Sequence, residues 1–172
     1  MSRRLANFLT FGVCAALMAY ALYSEHVLGL YPCPLCIFQR MAVIGLGLVA
    51  LIAALHNPKG GGRYVYAGLG ALLGGLGMAV AGRHVWLQSL PADQVPSCGG
   101  ASLEYLMETV GFLNALSEIL TASGECAEVT WQFLSLSMPM WVLISLAALV
   151  SWFLLANVRF RASRRDPSAG LA

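Results

Sequence analysis

Long apolar stretches alternate with short polar segments along the chain, and this alternation predicts the main elements. Four stretches have the roughly 20 apolar residues that a helix needs to cross the hydrocarbon core of a bilayer. They are residues 5–24, 37–55, 64–82 and 139–158. Each must be helical, because lipid offers no partner to an unpaired backbone N–H or C=O group. The pattern therefore predicts an all-α integral membrane protein, built as a four-helix transmembrane bundle.

The composition supports a membrane protein and argues against a soluble domain. Hydrophobic residues make up 59% of the chain and charged residues 10%, whereas a typical soluble protein has about 25% charged residues. We therefore expect the lipid bilayer, and no nucleic acid, as a partner of this chain. The first stretch, which follows Arg3 and Arg4, shares some features with a signal peptide, but its length favours a retained membrane helix.

The basic residues predict which loops face the cytoplasm. The N-terminus has two of them, the 56–63 segment has two and the C-terminal tail has four, which accounts for eight of the ten. We therefore expect both termini and the 56–63 loop to be cytoplasmic, in a bacterial inner membrane. The loops near 25–36 and 84–138, which carry most of the acidic residues, are expected in the periplasm.

The long outer loop has two parts of different character. Residues 94–100 (QVPSCGG) are flexible by composition, because Pro96 precedes Cys98 and two glycines follow it. Residues 101–120 instead repeat apolar side chains at the spacing of one helix face. The repeated positions are Leu103, Leu106, Met107, Val110, Leu113 and Leu116. This predicts a short amphipathic helix, which either lies flat on the membrane or packs onto the bundle.

The five cysteines are distributed unevenly across this topology. Cys14 lies inside the first stretch, in apolar surroundings where a thiol should be inert. Cys33 and Cys36 fall in the short outer loop, and Cys98 and Cys126 fall in the long one. The bacterial periplasm is oxidising, so disulfides are expected among these four. The residues alone leave all three pairings open.

The CxxC of Cys33 and Cys36 is the strongest chemical signal. It fits a redox pair, half of a zinc site or a plain disulfide, and the oxidising compartment favours the redox pair, so no metal is expected. Pro34 suits the first turn of a helix, which places Cys36 where unpaired N–H groups and the helix dipole stabilise a thiolate. Arg40 shares a helix face with Cys36. Arg40 could simply extend to the interface, but an ionisable residue inside a span is usually functional.

A thiolate at the membrane edge needs an electron acceptor. The sequence has no flavin, haem or nucleotide-binding motif. A quinone dissolved in the lipid takes two electrons and two protons, which is the amount released when a dithiol becomes a disulfide. The residues therefore predict a thiol:quinone oxidoreductase.

Three sequence blocks resemble the DsbB family of disulfide bond formation proteins. They are CPLCIFQR (33–40), SCGG (97–100) and SGECAEVTWQFLSLSMPMW (123–141), and the similarity extends over essentially the whole chain. The resemblance implies a membrane enzyme that reoxidises DsbA, a periplasmic thioredoxin-fold oxidase. It further implies that the electrons pass to ubiquinone, or to menaquinone.

The resemblance also implies roles for individual residues. Arg40 matches the quinone-site arginine of the family, and His84 matches a histidine near the start of the long loop. Gln39 departs from the pattern, because the best-known members carry glutamate there, and this leaves the tuning of the quinone site open. The catalytic residues would be four cysteines, paired as Cys33–Cys36 and Cys98–Cys126.

Three other interpretations compete with this one. A sister enzyme that oxidises a dedicated partner oxidase fits the same motifs. An enzyme similar to vitamin K epoxide reductase would carry its CxxC on the last helix of the bundle, whereas here it opens the second. A disulfide-stapled membrane scaffold would need neither Arg40 beside Cys36 nor a cysteine in a glycine-rich loop.

Overall fold

The computed structural model describes residues 2–58, 60–91, 124–127, 129 and 131–159. Cys98 and the predicted amphipathic helix lie outside these residues, as does the C-terminal tail. Four long helices account for most of the described chain. They are α1 (Arg3–His26), α2 (Pro34–His56), α3 (Gly62–Gln88) and α4 (Met138–Arg159).

Each of the four helices is long and apolar enough to cross a membrane. This confirms the predicted helical membrane fold. The helices extend a few residues beyond the predicted spans, because a span ends where hydrophobicity falls, whereas a helix ends where its backbone turns. At the start of α2, for example, Pro34 occupies the first turn and Cys33 is the N-cap. At its end, Asn57 adopts a left-handed conformation with φ of 44°.

The end of α3 differs most from the prediction. We expected the long loop to begin near residue 84, but α3 continues to Gln88. His84 therefore lies on a helix and not in a loop. Arg83 and His84 lower the local hydrophobicity without breaking the helix, and the next strong breaker is Pro91.

The helices pack as a bundle in which α3 contacts α2 and α4 extensively, and α1 packs mainly on α2. Gly70 and Gly74 of α3 form a GxxxG pattern, which predicts close helix approach. The structure confirms this, since a Cβ atom at Gly70 would overlap the ring of Phe153 and one at Gly74 would overlap Val150. Both contacts are made with α4.

A small hairpin precedes α4 and was not predicted. Strand β1 (Gln132–Phe133) pairs antiparallel with β2 (Leu136–Ser137), after a 3₁₀ turn at Gly124–Ala127. The two linking residues, Leu134 and Ser135, have φ of 52° and 64°. Such turns usually contain glycine or asparagine, so the sequence carried no signal for this one.

Candidate functional site

A cavity of about 550 Å³ lies at the end of the bundle where α1 and α3 finish and α2 and α4 begin. Its walls are mostly apolar and aromatic. These wall residues include Leu17, Met18, Tyr20, Val43, Trp131, Phe133, Met138, Trp141 and Val142. The polar and sulfur-containing side chains on the wall include Cys33, Cys36, Gln39, Arg40, His84, Gln88 and Cys126.

The structure brings together the two cysteines of the CxxC. Cys33 caps α2 and Cys36 lies in its first turn, so both sulfurs are presented at the helix N-terminus. Their Sγ atoms are 3.0 Å apart, and both side chains are partly buried. The pair therefore lies at the start of a membrane helix, where helix N–H groups favour a thiolate.

Cys126 comes to the same place from a distant part of the chain. Its 3₁₀ turn packs against α3, and Cys126 is only 1% exposed, in a small apolar cluster with Leu35 and Leu87. Its sulfur, the sulfur of Cys33 and a ring nitrogen of His84 all lie within 4.8 Å of one another. The sulfurs of three cysteines are therefore close enough for exchange.

The contact between Cys33 and Cys126 makes these two thiols unequal. A hydrogen bond from Cys33 lowers the pKa of Cys126 to about 7, although burial acts in the opposite direction. The hydrogen bond to Cys126, followed by that to Cys36, raises the pKa of Cys33. Cys126 is thus the more easily ionised partner, and Cys33 stays protonated beside it.

His84 forms the opposite side of this cluster and is 3% exposed. Its Nε2 atom lies 3.9 Å from Cys33 Sγ, and its Nδ1 atom lies 4.0 Å from Cys36 Sγ. Gln39, also 3% exposed, places its side-chain nitrogen 3.0 Å from His84 Nδ1. Gln39 therefore orients the ring, a role that the sequence did not reveal.

Arg40 lines the cavity together with Cys36, but its hydrogen bonds go to α1. Its guanidinium group pairs with the carboxylate of Glu25, and its Nη2 atom donates to the backbone oxygen of Ala21 at 3.3 Å. The imidazole of His84, by contrast, lies within 4.0 Å of both CxxC sulfurs. Sequence reasoning missed Glu25 as the partner of Arg40, although both residues lie at the same predicted membrane face.

An aromatic group lines the cavity near α4. The ring centroids of Trp131 and Phe133 lie 6.2 Å apart in a stacked arrangement, and Tyr20 meets Trp131 edge-on at 6.3 Å. The indole of Trp141 donates to the backbone oxygen of Phe133 at 3.1 Å, which ties the hairpin to α4. Tryptophans near the ends of membrane helices are typical of the membrane–water interface, and the structure places both Trp131 and Trp141 on the cavity wall.

Comparison with known proteins adds independent information about this chain. Residues 3–156 match the family described as disulfide bond formation protein DsbB. A disulfide bond formation protein B of Marinobacter nauticus is 49% identical over 166 residues, which covers 96% of this chain and 98% of that protein. One of Stutzerimonas stutzeri is 53% identical, covering 82% and 88%, and one of Xanthomonas campestris is 46% identical, covering 93% and 94%. This chain therefore belongs to the DsbB family of disulfide bond formation proteins.

Proposed function

We propose that this protein reoxidises a DsbA-like periplasmic thioredoxin-fold oxidase and passes the electrons to a membrane quinone. The observation that carries the proposal is the meeting of the Cys33, Cys36 and Cys126 sulfurs at one apolar cavity. The arrangement suits thiol–disulfide exchange on one side and a lipid-soluble acceptor on the other. The membership in the DsbB family supports the same class of reaction.

The cavity residues fit a quinone. Ubiquinone or menaquinone has a flat ring with two carbonyl oxygens, and the site offers aromatic walls with a few polar groups, as ligand pockets generally do. Arg40, Gln39 and His84 supply the hydrogen-bonding side chains. A bound quinone would accept two electrons and two protons.

The first exchange takes place at Cys98. A thiolate of the partner attacks Cys98 Sγ, the Cys98–Cys126 bond breaks, and Cys126 leaves as a thiolate. The partner and Cys98 are then joined by a mixed disulfide.

The second exchange transfers oxidation equivalents within the protein. The Cys126 thiolate attacks Cys33, the Cys33–Cys36 bond breaks, and Cys36 is released. The short distance between the Cys33 and Cys126 sulfurs supports this step. The second thiolate of the partner then attacks its own mixed disulfide and leaves as an oxidised protein, and Cys98 re-forms its bond with Cys126 and releases Cys33.

The cycle closes at the CxxC. Cys33 and Cys36 give up two electrons to the acceptor and re-form their disulfide, while the two protons of the partner dithiol end on the reduced acceptor. The imidazole of His84 lies about equally far from both sulfurs, so it can hold a proton during this step. Arg40, held by Glu25, would supply positioned N–H donors at the cavity wall.

The proposed orientation follows from the basic residues. The cavity is at the end opposite the 56–63 loop, so cytoplasmic termini would place the cysteines in the periplasm of a bacterial inner membrane. Reporter fusions test this directly. A fusion at Gly62 should read cytoplasmic and one near Gly100 periplasmic, and a cytoplasmic signal at Gly100 would contradict the proposed chemistry.

A stoichiometric assay tests the reaction. Purified protein in detergent should consume one quinone for each partner dithiol oxidised, and Cys33→Ser should stop quinone consumption. Cys14→Ser is the matched control, because Cys14 is buried against Gly47 within the bundle and should leave the rate unchanged. Oxidation of the partner without loss of quinone would show that the acceptor is a different molecule.

A further inference from the structure

We propose that Cys33, Cys126 and His84 form a binding site for Zn²⁺ when the cysteines are reduced, so that the ion blocks the redox centre. Two thiolates and an imidazole are the ligands that zinc prefers. The three residues belong to different parts of the fold, at the start of α2, in the 3₁₀ turn and on α3. The proposal rests on this geometry alone and stands whether or not a quinone is the acceptor.

The distances between the ligand atoms suit a tetrahedral ion. Bonds of about 2.3 Å to sulfur and 2.0 Å to nitrogen place neighbouring ligand atoms about 3.5 to 3.8 Å apart in a tetrahedron. The three atoms lie within 4.8 Å of one another, and Cys33 Sγ is 3.9 Å from His84 Nε2. The three ligand atoms would have to approach one another by less than about 1.5 Å, through side-chain rotation, to form the first three bonds to the ion.

The surroundings of the three ligands are those of a metal site. Cys126 and His84 are almost completely buried, so water competes poorly for the ion. Gln39 contacts His84 Nδ1, and an amide can turn its oxygen toward a ring N–H or its nitrogen toward a bare ring nitrogen. It can therefore support the tautomer that leaves Nε2 free to bind metal, as outer partners of zinc-binding histidines do. The sulfur of Cys36 lies 3.0 Å from that of Cys33, so Cys36 or a water molecule in the cavity is near enough to take the fourth position.

Zinc binding and disulfide formation exclude each other. Zn²⁺ replaces the protons of two thiols and releases them, and no electrons move, so the sulfurs remain reduced. A sulfur bound to zinc is not available for exchange with Cys36 or Cys98. Zinc should therefore inhibit only the reduced form, and a chelator should restore activity.

Cobalt binding to the reduced, full-length protein in detergent tests the site. Co²⁺ in a tetrahedral sulfur and nitrogen site absorbs visible light, and Zn²⁺ should displace it at one ion per chain. Cys126→Ser and His84→Phe should each weaken Co²⁺ binding by about 100-fold or more, and Gln39→Leu by about tenfold. Cys14→Ser and Cys98→Ser should bind as the parent does.

Two outcomes would overturn the proposal. One is unchanged cobalt absorption in both Cys126→Ser and His84→Phe, with helical content equal to that of the parent. The other is loss of binding in Cys98→Ser, because the ligand set would then be a different one. If one ligand variant fails to fold, the other decides the result. Failure of the quinone assay leaves this test unaffected, since no acceptor is present.

Discussion

The two ends of the bundle both bury polar side chains, but they use them differently. At the end opposite the cavity, Asn7 and Asn157 are completely buried and exchange two hydrogen bonds, of 3.3 Å and 3.0 Å. Nearby, the buried guanidinium of Arg3 donates to the backbone oxygen of Pro58. We call these four residues the polar clamp. At the cavity end, His84, Gln39 and the cysteines face an open space.

This difference shows that burial of polar groups is not by itself a sign of function. In a membrane helix an ionisable or polar residue usually has a role, and the role of the clamp is to hold helices together, since α1 meets α4 through the two asparagines. The side-chain amides of Asn7 and Asn157 bond to each other, which leaves them little capacity to bind a ligand. At the cavity end the sulfurs and the imidazole line an open space, and we therefore propose that this end carries the chemistry.

The largest effect is expected from Cys98→Ala, which should separate the reaction at the cavity end into its two halves, oxidation of the partner and reduction of quinone. Oxidation of the partner protein should stop, because the entry disulfide is gone, while a small dithiol should still reduce quinone through Cys33 and Cys36. The measurement compares both rates in the same preparation. Partner oxidation at the parental rate would show that the electrons enter at another cysteine.

The next effect concerns the acidity of Cys126. In the reduced protein its thiolate, followed by ultraviolet absorbance or by small alkylating reagents, should titrate with a midpoint near pH 7. The thiolate fraction rises with pH, so reactivity is low in acid and reaches its plateau above neutrality. Cys33→Ala removes the hydrogen bond that lowers this pKa and should move the midpoint upward, toward the ordinary value of 9.0.

A titration midpoint that Cys33→Ala leaves unchanged would show that the pKa of Cys126 does not depend on Cys33. In that case the contact with Cys33 would not be the cause of the low pKa of Cys126.

A smaller effect is expected at Arg40. It lines the cavity, but like the clamp residues it also bonds to a neighbouring helix, through Glu25 of α1. If Arg40 serves the cavity, Arg40→Met should raise the apparent KM for quinone by about tenfold or more, which is the loss of one charged hydrogen bond. Arg40→Lys should lose less, because it keeps the charge but not the planar fork. If the ion pair with Glu25 is only structural, Glu25→Gln and Arg40→Met should cost equal stability and leave quinone kinetics unchanged.

The smallest effect belongs to the clamp. Asn7→Leu should destabilise the bundle by about 1 kcal/mol, as hydrogen bonds between membrane helices do, and leave the KM for quinone unchanged. Asn157→Leu should do the same, and the double variant should lose less than the sum because the two amides share one interaction. Unfolding in mixed detergents measures the stability. A change in quinone affinity in these variants would remove the distinction between the two ends.

The sequence by itself determined the features that depend on local composition. Four helices of membrane length follow from apolar runs, because span length is a property of consecutive residues. Close packing at Gly70 and Gly74 follows from the absence of side chains. The position of Cys33 and Cys36 at a helix start follows from Pro34 and from the spacing within a single turn.

Only the tertiary structure decided which distant residues meet. The contacts of Gln39 with His84, of Arg40 with Glu25 and of Cys33 with Cys126 join different elements. Such contacts depend on how each helix is rotated and how far it continues, as the extension of α3 past His84 shows. A single sequence records neither quantity, because many rotations bury the same number of apolar side chains. Packing selects one of them, and that choice places the imidazole beside the sulfurs.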